Sequence, residues 1–436
     1  MRRFTQMIIA LLLVLSMTAC GSVTNFPGNK ADSGTPAADA SGTGEVTDDK
    51  ETTASAEDTL SEESDTVEED LSEDDEAIEE EEEEEDEEYD DEDEEGEIKL
   101  SGELEYWTED SEAKKKIEEF VSEVTDEESG SFVPEEDRIA VFDLDGTIIG
   151  ELYPSYFEYM MFIHRALYDE DYEAPKAMKD FAKALEKGIE TGDMPHDNER
   201  LHAKYAGQAY AGMTIAELKE YTQEFMNTKA DGFKKLTRGD AFYKPMVSLV
   251  NYLTANDFQC YIVSGSDRTV VRGIIKDKLP IPENRVIGMS YTMVATDQGD
   301  ADGLDYVFED TDEVILGGDL IIKTIKMNKV SEIELEIGKT PILSFGNSSG
   351  DVSMAQYVLN NEEYDAMAFM VLCDDLDREH GNTEKAESMK ETCLERGFET
   401  ISMRNDFETI YGGEVTIEPY TYKEVEDYEE EEDEAA

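Results

Sequence analysis

The sequence predicts an α/β fold in which a doubly wound parallel sheet carries an inserted all-helical segment. Short apolar runs recur after residue 138 and alternate with stretches of helical spacing, the pattern of parallel strands joined by helices. Three of these runs end in polar turns that contain glycine. A long segment rich in aromatic, Met and Ala residues at helical spacing separates the first run from the second.

The chain begins with the pattern of an export signal. Two arginines precede an apolar run from Met7 to Leu15, which is too short to span a bilayer as a mature helix. Small residues then lead into Cys20, and this stretch resembles the lipobox of bacterial lipoproteins. The resemblance implies that residues 1–20 are a lipoprotein signal and that Cys20 carries the lipid anchor of an extracytoplasmic protein. An ordinary signal peptide with an incidental cysteine is the alternative.

Acidic residues dominate the composition. The chain has 110 Asp and Glu against 37 Lys and Arg, for a formal net charge of −73. Residues 21–100 are first small and polar and then almost purely acidic, so they cannot bury enough apolar surface to fold. We predict a disordered linker here, with a cation-binding or cell-wall-binding role as the alternative. We predict a second disordered acidic tail at 424–436.

The remaining segment, 101–423, is the predicted folded domain, and it is acidic as well. This charge argues against nucleic acid and against anionic lipid headgroups as partners, which leaves the lipid at Cys20 as the expected membrane contact. A small anionic substrate would need a local positive site. The sequence does not indicate an oligomeric state.

The first elements of the domain follow from apolar spacing. Ser111–Val124 has the pattern of an amphipathic helix, and Ile139–Phe142 is the continuous apolar run of a strand buried on both faces. About 151–240 we expect an all-helical insert that would act as a cap. Its expected helices are Tyr153–Leu167, Ala174–Lys187 and Ile215–Thr228.

The sheet resumes after the insert. Helices are expected at Lys244–Ala255 and Lys323–Ile337. In 286–318, short β-like runs are separated by Gly and Asp, which predicts antiparallel strands. Further strands are expected at Phe258–Val263, Pro341–Phe345, Phe369–Leu372 and Glu399–Met403. Cys260 and Cys373 fall in apolar runs, as buried thiols do, and a Cys373–Cys393 disulfide is the alternative for an exported protein.

Asp143 and Asp145 come directly after the first strand, where the chain turns at Gly146. Two carboxylates so close repel each other unless a cation or a shared proton offsets them. A hard divalent ion such as Mg²⁺ suits these oxygen ligands, and the edge of an open α/β sheet is where ligands bind. A solvated turn is the alternative for this motif alone.

Two further turns have the same place in the pattern. The second strand ends in Ser264-Gly265-Ser266, where a hydroxyl and a glycine let backbone N–H groups approach an anion. The strand at Pro341–Phe345 ends in Gly-Asn-Ser-Ser-Gly-Asp at 346–351. The helix before it carries three lysines, which stand out in so acidic a domain: Lys323, Lys326 and Lys329.

In this order and spacing, the four motifs resemble those of the haloacid dehalogenase superfamily of phosphohydrolases, on the side of phosphoserine-phosphatase-like members with a helical C1-type cap. The likeness covers about Leu104–Gly413. It is greatest to exported bacterial members with a Tyr-Trp-Thr-Glu-Asp lead-in, here at 106–110, and an Asp-Asp-x-x-Arg-Glu run, here at 374–379. The resemblance implies a Rossmann-like core and a cap that gates access.

The resemblance also implies the chemistry. Asp143 would attack phosphorus and form an aspartyl-phosphate. Asp145 would protonate the departing alkoxide and then activate the hydrolytic water, as covalent and general acid–base catalysis require. The enzyme would thus hydrolyse small phosphomonoesters, with phosphoserine, phosphocholine, sugar phosphates and nucleotides all open as substrates.

The other motif residues receive supporting roles from the same resemblance. Thr147, Ser264 and Gly265 would contact phosphoryl oxygens, and Lys329, with Lys326 in reserve, would neutralise charge beside the nucleophile.

Mg²⁺ would lie between Asp143, the backbone carbonyl of Asp145, Asn347 and Asp351. Asn347 stands where many relatives have an acid, so that it would bind the metal directly or through water. Glu151 would face the substrate or be solvated.

Four basic residues could bind substrate anions or form structural ion pairs, and we favour the pairs: Arg268, Arg272, Arg378 and His380.

The same residues distinguish between this reaction and other functions. A dehalogenase dispenses with Asp145, and an ion-pumping ATPase needs membrane helices, which the pattern after the signal does not show. A sugar phosphomutase keeps both aspartates but acts on cytoplasmic intermediates. A non-catalytic surface lipoprotein that binds a ligand or cation on the same fold is the alternative from another class.

Overall fold

In the computed structural model of the chain, the structure describes residues 98, 100–151 and 154–419. The chain divides into two units, Met1–Glu87 and Glu88–Ala436, and every described residue belongs to the second. The predictions for the signal segment, for Cys20, for nearly all of the linker and for the tail at 424–436 lie outside the described residues. Within those residues, no helix combines the length and the apolar character needed to cross a bilayer.

The elements follow one another as strands alternating with helices. In the first half these are α1 (Glu112–Thr125), β1 (Ile139–Phe142), α2 (Phe157–Ile163), α3 (Lys176–Thr191), α4 (Asn198–Ala209), α5 (Ile215–Met226), β2 (Phe233–Lys234), α6 (Lys244–Ala255) and β3 (Gln259–Asp267). In the second half they are α7 (Arg268–Ile275), β4 (Val286–Ala295), β5 (Val314–Ile322), α8 (Met327–Glu336), β6 (Leu343–Gly346), α9 (Val352–Leu359), β7 (Met367–Leu372), α10 (Thr383–Arg396), β8 (Glu399–Ser402), α11 (Met403–Asp406) and β9 (Thr416–Ile417).

The main sheet confirms the predicted fold class. Seven strands lie in the order β5-β4-β3-β1-β6-β7-β8. All neighbouring pairs are parallel except β4 and β5, which are antiparallel, as the short β-like pattern at 286–318 predicts. After β1, the chain adds β3 and β4 on one side of β1, and it then crosses over to add β6 on the other side of β1. The switch point therefore lies between β1 and β6, and the crevice outside their carboxyl ends is the expected ligand site.

Alternate residues of β1 enter two different cores, which is what a sheet covered by helices on both faces requires. Ala140 and Phe142 belong to a core that includes Leu249 and Leu253 of α6. Ile139 and Val141 pack instead with Ile333 of α8 and with Met354 and Val358 of α9. On the first face, the rings of Phe142, Phe345 and Phe369 from β1, β6 and β7 stack in register at centroid distances of 4.6 and 5.3 Å.

The insert between β1 and α6 is helical, with two corrections. α2 continues as a π-helical turn at His164–Tyr168, and β2 is a two-residue strand that pairs with β9, so the insert is not all-helical. The sequence pattern also does not predict α4. Its buried side includes Ala203, Ala206 and Ala209, and such small residues leave no stripe of large apolar side chains to recognise.

Three boundaries differ from expectation for local reasons. Ser111 caps α1 by accepting a hydrogen bond from the N–H of Lys114, although no capping box is present. α8 begins at Met327 because Lys326 has a φ of 55°, outside the helical region. β3 continues through the serine turn to Asp267. Cys260, Cys373 and Cys393 are free and buried, so no Cys373–Cys393 disulfide forms.

Candidate active site

The carboxyl ends of β1 and β6 bring the first and last motifs together. The backbone N–H of Asp143 donates to the carbonyl oxygen of Phe345 over 2.8 Å, which holds Asp143 beside the end of β6. Gly146 turns the chain with a φ of 78°, and a Cβ there would lie 1.9 Å from Nδ2 of Asn347. Only glycine fits this turn, because any side chain would displace Asn347.

Gly346 has a matching role at the end of β6. A Cβ on Gly346 would lie 2.5 Å from the Cβ of Asp351, so the missing side chain lets Asp351 fold back against the strand end. Oδ2 of Asp351 then accepts hydrogen bonds from the N–H groups of Asn347 and Ser348 and from the Ser348 hydroxyl, at 2.9 to 3.1 Å. These bonds fix the carboxylate of Asp351 toward β1.

Lys329 joins the two carboxylates. Its side chain is almost fully buried, and Nζ lies 2.6 Å from Oδ1 of Asp143, 2.7 Å from Oδ1 of Asp351 and 2.6 Å from the carbonyl oxygen of Val263. All three donors of the ammonium group are thereby used. Lys326, the reserve assignment, is exposed and has no such contacts among the described residues.

The charges of this cluster are unevenly balanced. Burial raises the pKa of Asp143, and the negative charge of Asp351 adds to the effect, which outweighs the ion pair with Lys329. Burial would likewise raise the pKa of Asp351, but the charge and hydrogen bond of Lys329 hold it below its usual range. Burial opposes the charge of Lys329, yet the two carboxylates keep its pKa raised. One lysine thus serves two carboxyl groups, and the repulsion that it leaves between them contributes to the raised pKa of Asp143.

Asp145 lies in the same cavity with a different environment. Its Oδ2 accepts a hydrogen bond of 2.9 Å from the hydroxyl of Ser266. Burial raises the pKa of Asp145 to about 6, against the lowering effect of this bond. A carboxyl group with a pKa near neutrality can both give and take a proton, which is the property that a general acid–base residue needs.

These groups form the floor of a cavity of about 460 Å³. Tyr156, Glu158 and Tyr159 of the insert form one wall. The segment between β5 and α8 supplies Lys323 and Lys326, and α10 supplies Lys385 together with small or flexible side chains. A cavity of this volume encloses a small-molecule ligand.

Most of the predicted site residues meet at this cavity. Asp143, Asp145, Gly265, Lys329, Asn347 and Asp351 all line it. Thr147 and Ser264 are fully buried and do not line it; Ser264 accepts a hydrogen bond from the N–H of Ser266, and the Thr147 hydroxyl has no partner among the described residues. Their phosphate-binding roles stay predictions.

Three residues on the cavity wall are not predicted as site residues by the sequence pattern. Ser266 belongs to the second motif's turn, and a hydroxyl two positions after Ser264 lies on the same face of an extended strand, which is the signal that could have indicated it. Glu158 is fully buried, and its Oε1 accepts the N–H of Asp267 over 3.2 Å. Burial raises the pKa of Glu158 to about 8. Lys323 was noted only as one of three helical lysines.

The residues present fit a divalent cation. Oδ1 of Asn347 is buried without a hydrogen-bond partner among the described residues, beside a carboxylate pair that a single lysine serves. An orphaned amide oxygen and carboxylate oxygens are the donor set that Mg²⁺ prefers. No group of three or more His, Cys, Asp or Glu side chains within the described part of the chain has the arrangement of a metal site, so any metal here would depend on carbonyl, amide and substrate oxygens as well.

The candidate anion-binding residues outside the cavity form structural contacts instead. Arg268 pairs with Glu332 and Glu336, and Nε of Arg272 donates to the carbonyl oxygen of Glu283. Arg378 and His380 contact backbone carbonyl oxygens.

Glu151, just after the first motif, is buried at the cavity and paired with Lys385, so it is not a solvated surface glutamate.

Comparison with known proteins gives fold-level likenesses. No family model and no curated protein matches the chain. Among solved structures, a conserved protein of unknown function from Anaerococcus prevotii is similar at 15% identity and a TM-score of 0.40, over 66% of this chain and 91% of that one. A cytosolic 5'-nucleotidase IIIB bound to cytidine is similar at 16% identity and a TM-score of 0.40, over 69% and 86%.

A phosphoserine phosphohydrolase-like protein from Francisella tularensis is similar at 15% identity and a TM-score of 0.31, over 58% of this chain and 92% of that one. At these scores, the likenesses carry no conclusion about the reaction that this chain catalyses.

Proposed function

We propose that the protein is a Mg²⁺-dependent phosphomonoesterase that works through an aspartyl-phosphate on Asp143. The observation that carries the proposal is the buried Asp143–Lys329–Asp351 cluster with Asp145 in the same cavity. A nucleophile, a proton-transferring group and an electrostatic anchor at the end of a switch-point crevice are the parts that phosphoryl transfer requires. The resemblance of the four motifs to haloacid dehalogenase phosphohydrolases supports the same reaction.

In the first step, a carboxylate oxygen of Asp143 attacks phosphorus, and the bond between phosphorus and the ester oxygen breaks. The electron pair stays with the departing alkoxide, which takes the proton of Asp145. Lys329 holds Asp143 at a fixed orientation and stabilises negative charge on the phosphoryl group, while Gly265 and Ser266 line the same cavity.

In the second step, Asp145 takes a proton from water, which attacks phosphorus and releases Asp143 and inorganic phosphate. The raised pKa of Asp145, about 6, suits both halves of this exchange. A bound Mg²⁺, held by Asp143, Asp351, Asn347 and the carbonyl of Asp145, would supply charge neutralisation for the phosphoryl oxygens.

The direct test is phosphate release from an aryl phosphate by the purified chain with Mg²⁺, with a chelator, and in the variant Asp143→Asn. We expect metal-dependent turnover that falls at least about 10³-fold in Asp143→Asn, because the amide is not a nucleophile. Asp365→Asn is the matched control, since this aspartate is exposed and its side chain accepts a hydrogen bond from the Ser131 hydroxyl, away from the cavity. A folded wild-type protein without metal-dependent turnover would favour the non-catalytic binding lipoprotein instead.

We also propose that the enzyme acts outside the cytoplasmic membrane, tethered by a lipid at Cys20. The sequence resemblance of residues 17–21 to a lipobox supports this location. Cys20→Ser should move the protein from the membrane fraction to the soluble fraction. Unchanged membrane association of the variant would contradict the anchor.

A further inference from the structure

Two lysines on the cavity wall have no role in the chemistry described above. Lys323 and Lys326 lie in the segment between β5 and α8, and both line the catalytic cavity. Among the described residues, neither ammonium group has a hydrogen bond or an ion pair. The other two cavity lysines differ in this respect, because Lys329 is paired with Asp143 and Asp351, and Lys385 is paired with Glu151.

The position of Lys323 relates it to the leaving group. Lys323 lines the same cavity as Asp145 and Glu158 and forms no ion pair with either, and its positive charge opposes the rise of the pKa of both carboxyl groups. In the proposed reaction, Asp145 protonates the ester oxygen of the alcohol. The alcohol part of the substrate therefore lies beside Asp145, in the cavity that Lys323 also lines.

Helices α2 and α4 supply Glu158 and Glu199 to the cavity, and neither pairs with Lys323. Burial raises the pKa of Glu158 to about 8, which keeps this group mainly protonated at neutral pH. Glu199 is exposed to solvent. A half-buried ammonium group without a partner gains from an anionic ligand, because hydrogen bonds between charged groups are among the stronger polar contacts.

The backbone at Lys326 has an unusual conformation and is bonded to the last motif. Lys326 has φ 55° and ψ −125°, a combination that is unfavourable for a residue with a side chain. Its N–H donates to the carbonyl oxygen of Gly350 over 2.9 Å, which ties this segment to the last motif. The backbone of Lys326 is thus tied to the last motif, and Lys323 lies three positions before it in the chain.

We propose that Lys323 and Lys326 bind a second anionic group on the alcohol part of the substrate. The preferred substrates are then phosphomonoesters whose alcohol also carries a carboxylate or a further phosphate. This inference rests on the proposed phosphatase function and adds the substrate class to it.

The test compares kcat/KM within pairs of substrates that differ in one group. Phosphoglycolate and 2-hydroxyethyl phosphate differ in a carboxylate, and ethylene glycol bisphosphate adds a phosphate to the second member. We expect wild-type protein to prefer at least one of the two anionic substrates about tenfold or more, and which one it prefers identifies the anion. Equal rates for all three, or a preference for a cationic analogue such as phosphoethanolamine, would overturn the inference.

Variants assign the preference to the lysines. In Lys323→Met we expect the preference, measured as the ratio of kcat/KM between an anionic substrate and 2-hydroxyethyl phosphate, to fall to less than about threefold, with a smaller loss in Lys326→Met. Lys115→Met is the matched control, because this lysine pairs with Glu112 on the exposed face of α1 and should keep the full preference. A preference that survives in the double variant Lys323→Met, Lys326→Met would contradict the assignment.

A binding measurement separates this inference from the proposed function. Calorimetric titration of Asp143→Asn with the same compounds and Mg²⁺ does not depend on turnover. Tighter binding of the anionic compounds to Asp143→Asn, lost in the double variant Asp143→Asn, Lys323→Met, would support the inference even if the wild-type protein hydrolysed none of them. Equal binding, with an active wild-type protein, would leave the phosphatase proposal standing and contradict the second-anion site.

Discussion

Two polar clusters lie beyond the carboxyl ends of strands in this molecule, and they differ in how completely their hydrogen bonds are satisfied. The cluster after β7 is centred on Arg378, whose Nε bonds Asp375 over 2.6 Å. Its Nη1 and Nη2 groups donate to the carbonyl oxygens of Phe407, Glu408 and Met403 at 2.8 to 2.9 Å. Nearby, the carboxylate of Glu379 accepts from the His380 N–H and the Tyr411 hydroxyl.

The cluster after β1 and β6 is incomplete by comparison. Lys329 serves two carboxylates, the amide oxygen of Asn347 has no partner among the described residues, and Lys323 has none either. Buried polar groups are normally satisfied, and groups that are not need an explanation such as a ligand or an ion. The comparison indicates that the first cluster is built to hold the fold together and the second to bind something that the protein alone does not supply.

The largest expected effect comes from removing the lysine of the unsatisfied cluster. Lys329→Met keeps the approximate volume but leaves Asp143 and Asp351 without their shared cation. We expect turnover to fall at least about 10³-fold, as for the loss of a main electrostatic stabiliser of the transition state. Steady-state kinetics with an aryl phosphate measure this effect. Retention of more than about a tenth of wild-type turnover would contradict the role of Lys329.

A smaller effect, on stability rather than on chemistry, is expected from the satisfied cluster. Arg378→Met leaves the carboxylate of Asp375 and several carbonyl oxygens without their donor. Because the side chain is one-third exposed, we expect a loss of about 2 kcal/mol in the free energy of unfolding, with turnover per folded molecule nearly unchanged. Denaturant unfolding measures this loss.

The control for this variant is Arg396→Met at the end of α10, where the exposed guanidinium forms one long hydrogen bond among the described residues, of 3.5 Å to Gln356. It should change stability by less than about 0.5 kcal/mol. A large loss of turnover in folded Arg378→Met would contradict the assignment of stability to the cluster after β7 and of ligand binding to the cluster after β1 and β6.

The last expected effect is on the slope of stability with pH, and not on turnover or on stability at one pH. The pKa of Glu158 rises from 4.5 to about 8 on folding, so between these values the native state holds a proton that the unfolded state has lost. Stability should therefore fall as pH rises through this window, by up to about 1.4 kcal/mol per pH unit for one proton, and level off above it. Glu158→Gln, which keeps an acceptor for the Asp267 N–H, should flatten the curve.

Unfolding curves at pH 5, 6, 7 and 8 for wild-type protein and Glu158→Gln would measure the difference in slope. Glu220→Gln, at an exposed position on α5, is the control and should follow the wild-type curve. An identical slope in Glu158→Gln would mean that Glu158 keeps its charge in the folded protein.

The sequence predicts the sheet well because its central strands are buried on both faces. Ile139–Phe142 is bounded by charge on both sides, so its observed limits match the apolar run. The same logic places Asp143 and Asp351 at one edge, since parallel strands end together. α4 escaped prediction because small alanines face the core, and the contributions of Ser266, Glu158 and Lys323 depend on tertiary packing that no local pattern encodes.

The sequence also does not predict whether the polar groups at a strand end find all their hydrogen-bond partners within the protein. Asp374-Asp375 and Asp143-Leu144-Asp145 are both acidic runs at strand ends, yet only the structure shows that the partners of Asp375 are all supplied by the chain. Arg378 illustrates the same point, because its partners are backbone carbonyl oxygens about 25 to 30 positions away.

The measurement that tests the central claim most directly is detection of the phosphoryl group on the nucleophile. The purified chain is mixed with an aryl phosphate and Mg²⁺, quenched in acid within milliseconds, digested, and analysed by mass spectrometry. The account predicts a peptide spanning Ile139–Gly150 that carries one phosphoryl group at Asp143, present in wild-type protein and absent from Asp143→Asn. Phosphate release without any labelled aspartate, or with the label on another residue, would contradict it.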